Sequence, residues 1–330
     1  MKAQTHMNTN THTHADMSTG VSPNTSTDMS TPTIPPVQAP DEVVGYYNKP
    51  MVKSHPWKDY IGWYFFTGGL AGASSVIAAV ADVSGRPTLA KHARRASLIG
   101  LLPSPALLIA DLGRPKRFGY MLRVVKPTSP MSVGSWLLSA YGACATGAAG
   151  LSELHVMPGL RRALTVAAGV TGSGVATYTA VLVADTATPA WHEARRELPF
   201  LFAASAGASG GAATLALSAL GGKADRTAAR VGVVGAVCEV VTAKVMQRRL
   251  GELDTYRSDP RAHRLDRAAQ VLSLGGAAAM SVSRRSRSAS IAAAAAVAAG
   301  SLCQRLAVLR AGVASANDPR SVLVSQKATR

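Results

Sequence analysis

Asp111 and Arg114 stand three residues apart in the run ADLGRPKRFGYMLRVVKPTSPMSVGSW, residues 110–136, which sets one acid, five basic residues and three prolines between two apolar stretches. A carboxylate and a guanidinium at that spacing can hold each other as an ion pair or hand on a proton, with Arg117 a further partner. Read without chemistry, the same residues end a helix and order a loop. Glu239 is the second candidate. It lies midway through VGVVGAVCEVVTAKVMQ, where an ionisable group in an apolar helix is functional by default, as a proton relay or as the partner of a polar neighbour on another helix. Lys244, five residues on, is placed to reach back to an interface. Tyr64, near the start of the first apolar stretch, and Tyr178, inside the fourth, could each offer a hydroxyl to a ligand. Trp57, Tyr60 and Trp63 fit interfacial anchors better, and Asp185 a solvated acid at a helix end.

Other chemistry is excluded by what the chain lacks. Cys144, Cys238 and Cys303 are far apart with no CxxC pair, which rules out an iron–sulfur cluster or structural zinc held by this chain alone. None of the eight histidines lies centrally in an apolar stretch, so a haem held by two histidines between helices has no ligands. The net charge of +17 does not indicate nucleic acid, because the Lys and Arg residues sit in short loops between apolar stretches, as membrane proteins carry them.

The elements that must position these groups follow from hydropathy. Hydrophobic residues make up 47% of the 330-residue chain and charged residues only 16%, against about 25% charged in soluble domains. Residues 1–45 are rich in Thr, Asn, Ser and His, without an apolar secretion segment, and predict a disordered tail. Eight apolar segments follow, over residues 60–83, 96–112, 132–151, 163–184, 198–220, 231–246, 268–282 and 291–305. The first, third, fourth and fifth reach the roughly 20 residues a spanning helix needs; the others are short, the last two rich in alanine. The fold class is therefore an all-α, polytopic bundle of about eight transmembrane helices over 46–312, with a short polar tail over 313–330. Gly72, Gly142, Gly147, Gly172, Gly174, Gly207, Gly210 and Gly211 would let helices approach closely. Pro103 and Pro105 free carbonyls within the second span. With eight spans, both termini and the second, fourth and sixth loops share a side carrying 21 Lys and Arg, against 12 opposite, which puts the termini in the cytoplasm of a bacterial inner membrane.

DLGRPKRFGYMLR, followed by KPTSPMSVGSW and preceded by YYNKP, HPW and YFFTGGLAGAS, resembles the NrfD-like, polysulfide-reductase-type integral membrane subunits; the match is close from Tyr46 to Gly142. The resemblance implies a subunit that bears no metal and exchanges electrons and protons with menaquinone or ubiquinone. It further implies an iron–sulfur electron-transfer partner joined to a catalytic molybdopterin or cytochrome subunit, with a formate dehydrogenase-like version suggested by the Tyr-Tyr start and the Ser-Pro-Met-Ser stretch. Family members contact quinone near the partner-facing ends of the first and fourth helices, which favours Tyr64 and Tyr178, with Asp111 and Arg114 at the pocket mouth and proton transfer falling to Asp111 and Glu239. Arg117, Arg123 and Lys126 would form the docking surface for an acidic partner face, or answer to topology and anionic lipid instead. Two other readings stay open: a proton-coupled transporter using Glu239 and Asp111, and an inert anchor.

Overall fold

Prolines and capping side chains, more than apolarity, set the helix ends in the computed structural model, which describes residues 59–112, 119–120, 122–123, 125–253, 255–282, 286–319 and 321–322. The expected N-terminal tail and half of the C-terminal one lie outside these residues. The helices are α1 Asp59–Val83, α2 Pro87–Leu101, α3 Pro103–Leu112, α4 Pro130–Leu154, α5 Pro158–Ala184, the short α6 Pro189–Glu193, α7 Leu198–Leu220, α8 Arg226–Leu250, the short α9 Thr255–Ser258, α10 Pro260–Val282 and α11 Arg287–Asn317. No strand occurs among the described residues. Proline opens α2, α4 and α5, where its missing N–H costs nothing.

The expected second span is broken between α2 and α3. Pro103 and Pro105 remove two helix donors, and the Ser104 hydroxyl donates to the Gly100 carbonyl at 2.8 Å in partial compensation. The sixth, seventh and eighth segments, expected to be short, belong to helices of 25, 23 and 31 residues. Their starts lie upstream of the apolar runs because caps fix them: Asp225 accepts from the Thr227 and Ala228 amides, and Ser286 from the Ala289 amide. Likewise α11 continues past residue 312, the expected domain end, with Ser315 and Ala316 buried.

Among the described residues, four helices are both long and apolar enough to cross a membrane: α1, α5, α7 and α11. The third segment was expected among them, but α4 carries Ser132, Ser135, Ser139, Ser152 and Glu153 along its length and is not; the eighth, expected to be weak, is. α8 shows how the surface is built. Val234, Val237, Val241 and Val245 recur at helical spacing on its exposed face, while Gly235, Ala236, Glu239 and Ala243 are buried. A soluble helix would turn its charge outward; this pattern is the reverse.

α1 is the hub, packing against α2, α3, α5, α7 and α11. Against α5 the contacts run in reverse order, Gly68 to Val175, Gly72 to Gly172 and Ala79 to Gly169, so the two helices are antiparallel. Gly72 is required there: a Cβ would collide with the Gly172 carbonyl. Gly211 meets the backbone of Gly232 in the same way, whereas Gly142 and Gly207 have room to spare. Gly72→Val should therefore lower stability by about 1–3 kcal/mol or more, by the cost of overpacking. Thermal unfolding of the detergent-extracted chain checks this, and an unchanged midpoint would contradict it.

Hydroxyls staple α1 to its other neighbours. Ser75, Ser97 and Tyr141 form a closed triangle of hydrogen bonds at 2.8, 2.9 and 3.0 Å joining α1, α2 and α4. Thr67 and Ser104 meet at 2.9 Å. At the end where α1 finishes, buried Asp82 lies 3.4 Å from Arg94 and 3.9 Å from Arg161, and Arg95 grips Glu153 with two bonds of 2.8 Å. At the other end, the start of α1 is tied to α11 by Arg310 and Asp59 at 2.7 Å. That second end, where α1 begins and α11 finishes, is called the terminal end below.

Candidate functional site

Tyr64 lies one turn into α1 and Tyr178 less than two turns from the end of α5, so the antiparallel pairing brings both to the terminal end. They are neighbours across that interface. Tyr64 is buried. Tyr178 is half-buried, its ring pressed where a side chain at Gly134 would otherwise stand. Among the described residues neither hydroxyl has a hydrogen-bond partner, although each is a donor in a mostly apolar setting. Asp111 lies in the last turn of α3, which packs on α1; it is half-buried and already engaged in an interaction. Its expected partner Arg114, and Arg117 with it, lie outside the described residues. Arg123 and Lys126 are exposed on the approach to α4, where the Lys126 amide donates to Ser132 at 3.0 Å. Tyr60 and Trp63 are exposed at the rim, and so is Asp185 at the end of α5.

Glu239 occupies a separate and deeper place. It is 1% exposed, facing α7, α10 and α11. Its Oε2 accepts from the hydroxyls of Ser273 and Ser301, both at 3.1 Å, while Oε1 has no hydrogen-bond partner among the described residues. The sequence reading missed the cation beside it. Arg305, also 1% exposed, donates Nε to the Ser205 hydroxyl at 3.1 Å and Nη2 to the Phe202 carbonyl at 2.7 Å. Its guanidinium carbon sits 3.9 Å from the centre of the Phe202 ring, a cation–π contact worth about 2 kcal/mol when desolvated. Gly69 leaves the room: a Cβ there would stand 2.9 Å from Nη2. The Ser205 hydroxyl also interacts with the Glu239 carboxylate, so one serine stands between a buried anion and a buried cation.

The two places are joined by packed rings. Tyr64 and Phe65 have ring centres 6.2 Å apart, Phe65 and Phe202 5.8 Å, and Phe202 carries Arg305. From Glu239 a polar seam runs back toward the terminal end along α10. Ser273, Gln270 and Asp266 recur at helical spacing, with Gln270 donating to Asp266 at 2.5 Å, Gln247 of α8 at 2.7 Å, and Lys244 standing 3.9 Å away.

A family model described as polysulphide reductase, NrfD, matches residues 48–247. The chain belongs to the NrfD family. The match contains Tyr64, Asp111, Arg114, Tyr178 and Glu239, and it stops before Asp266, Ser273, Ser301 and Arg305. No curated protein matches the chain. NrfD proteins are membrane-integral subunits of quinone-linked oxidoreductases and generally partner iron–sulfur and molybdopterin subunits, and the four apolar helices fit that placement.

Proposed function

We propose that the chain is the quinone-exchanging subunit of its complex, spanning the bacterial inner membrane eight times through α1, the broken α2–α3 pair, α4, α5, α7, α8, α10 and α11. An iron–sulfur subunit, linked to a molybdopterin (formate dehydrogenase-like) or cytochrome partner, docks at the cytoplasmic terminal end on Arg117, Arg123 and Lys126. Reduction of the quinone consumes two electrons from that partner and two protons, giving a quinol; oxidation reverses each term. The observation carrying this reading is the pair of unpartnered tyrosine hydroxyls at the terminal end of a chain that belongs to this family. Tyr64 and Tyr178 donate to the ring carbonyls, which gain negative charge as electrons arrive, so these hydrogen bonds strengthen during the reaction. The half-exposed side of Tyr178 gives the ring access from the lipid. Asp111, with Arg114, holds the mouth of the pocket and passes protons at its rim. Glu239 supplies a deeper proton site, fed along Asp266, Gln270 and Ser273, and the chain of Phe65, Phe202 and Arg305 ties its charge to occupancy beside Tyr64.

Asp111→Asn keeps the shape and removes the charge. In the assembled complex it should lower quinone-linked turnover by about tenfold, the worth of one charge-assisted hydrogen bond, and leave dye-linked activity of the soluble partner intact. Unchanged quinone turnover would count against the site. The buried Glu239 and Arg305 favour one rival, a proton-coupled transporter without redox chemistry. That reading requires proton flux in liposomes that is indifferent to quinone analogues, whereas the proposal requires such analogues to compete with quinone in the complex.

A further inference from the structure

One cavity lies at the end of the bundle away from the tyrosines. It holds about 900 Å³ between the α7–α8 turn and the start of α11. Lys223, Arg226 and Arg287 stand on its wall, all exposed, and among the described residues none of them has a carboxylate partner. The one acid beside them, Asp225, is already committed: it caps α8, accepting from Thr227 at 2.7 Å, and pairs with Arg86 at 3.1 Å. Three cations therefore face the cavity, and among the described residues the acid on its wall, Asp225, is already shared with Arg86 and the start of α8. The remaining wall sets Ser286 and Ser290 beside an apolar strip in which Leu215 and Met280 are buried and Val282 is 85% exposed.

We propose that this cavity binds an anionic phospholipid, its phosphodiester against Lys223, Arg226 and Arg287 and the upper part of an acyl chain along Leu215, Met280 and Val282. Charge and apolar surface together select the occupant. A small soluble anion would satisfy the cations and leave the valine and its neighbours in water. A zwitterionic lipid would cover the apolar wall but bring its own cation to a basic rim. An acidic headgroup satisfies both, its charge drawn to the basic residues and its chain methylenes removed from water. The lipid acts at the far end of the molecule from the quinone site and owes nothing to that assignment; it rests only on the helix ends reaching the membrane surface.

The test uses the complete complex, extracted in detergent, stripped of lipid and re-exposed to phosphatidylglycerol or to phosphatidylcholine with the same chains, with retained lipid counted by native mass spectrometry. Phosphatidylglycerol should be retained and phosphatidylcholine not, and millimolar inorganic phosphate should fail to displace it. Lys223→Glu with Arg287→Glu should reduce retention at least tenfold without shifting the melting temperature, since both side chains are exposed. If the reversal unsettles the fold, Lys223→Gln with Arg287→Gln gives the same reading with a smaller effect. Equal retention of the two lipids, or retention indifferent to both pairs of substitutions, overturns the proposal. Displacement by inorganic phosphate overturns it in favour of a soluble-anion site. Failure of the chain to partition into membranes would instead overturn its membrane placement.

Discussion

Arg305→Met should cripple assembly of the chain, whereas the double substitution Arg305→Met with Glu239→Gln should restore most of it. The single change removes the cation while Glu239 stays 1% exposed with only serine hydroxyls for company. Stranding one member of a buried charged set costs about 3–5 kcal/mol, because the remaining charge keeps its desolvation penalty and loses its compensation. It also leaves the Phe202 carbonyl and the Ser205 hydroxyl without their donor. Methionine is close enough in length and flexibility to fill the space between Phe202 and Gly69, so the loss is electrostatic rather than a cavity. Glutamine at 239 still accepts from Ser273 and Ser301 while removing the stranded charge. The measurement is the melting temperature and yield of the extracted chain across the four-member cycle, which isolates the coupling between the two positions. Additive losses would mean that the two residues ignore each other and that Ser205 does not mediate between them.

Tyr64→Phe with Tyr178→Phe should reduce quinone-linked turnover by about 100- to 1000-fold in the assembled complex, with each single change giving about 10- to 30-fold. A hydrogen bond to a group carrying charge is worth about 1.5–3 kcal/mol, and each 1.4 kcal/mol is a factor of ten in rate. Neither hydroxyl has a protein partner among the described residues, so its removal strands nothing and should leave stability near that of the parent. That separates a ligand-binding role from a packing role, because a packing tyrosine would lower the melting temperature as much as the rate. The decisive readout is quinone-linked against dye-linked activity of the same preparation. Equal loss in both assays, or none in either, would remove the two tyrosines from the site.

Much of the architecture could be read from residue order, and the failures have physical causes. Pro103 and Pro105 were legible as freeing carbonyls within one span, but not as the break that separates α2 from α3. The depth of Glu239 was legible because the eight residues before it and the two after it are apolar. Arg305 was not, since it falls at the end of an apolar run, where a cation ordinarily reaches for water. Only the continuation of α11 to Asn317 shows that the residue sits mid-helix. Helix lengths at α8 and α11 were underestimated for the related reason that Asp225 and Ser286, not the loss of apolar character, decide where those helices begin. Closeness of Tyr64 and Tyr178 needed the antiparallel register of Gly68, Gly72 and Ala79 against α5, which spacing along the chain does not reveal. No residue pattern announced the cavity walled by Lys223, Arg226 and Arg287, because its parts come from four helix ends.

Every group that compensates Glu239, apart from Ser205, follows it in the chain: Ser273 on α10, then Ser301 and Arg305 on α11. During synthesis, the eighth helix therefore emerges and enters the bilayer with its carboxyl group uncovered, and must wait for the last hairpin to arrive. A polypeptide halted after residue 250 would lack Ser273, Ser301 and Arg305, so the closing hairpin of α10 and α11 is what covers the acid.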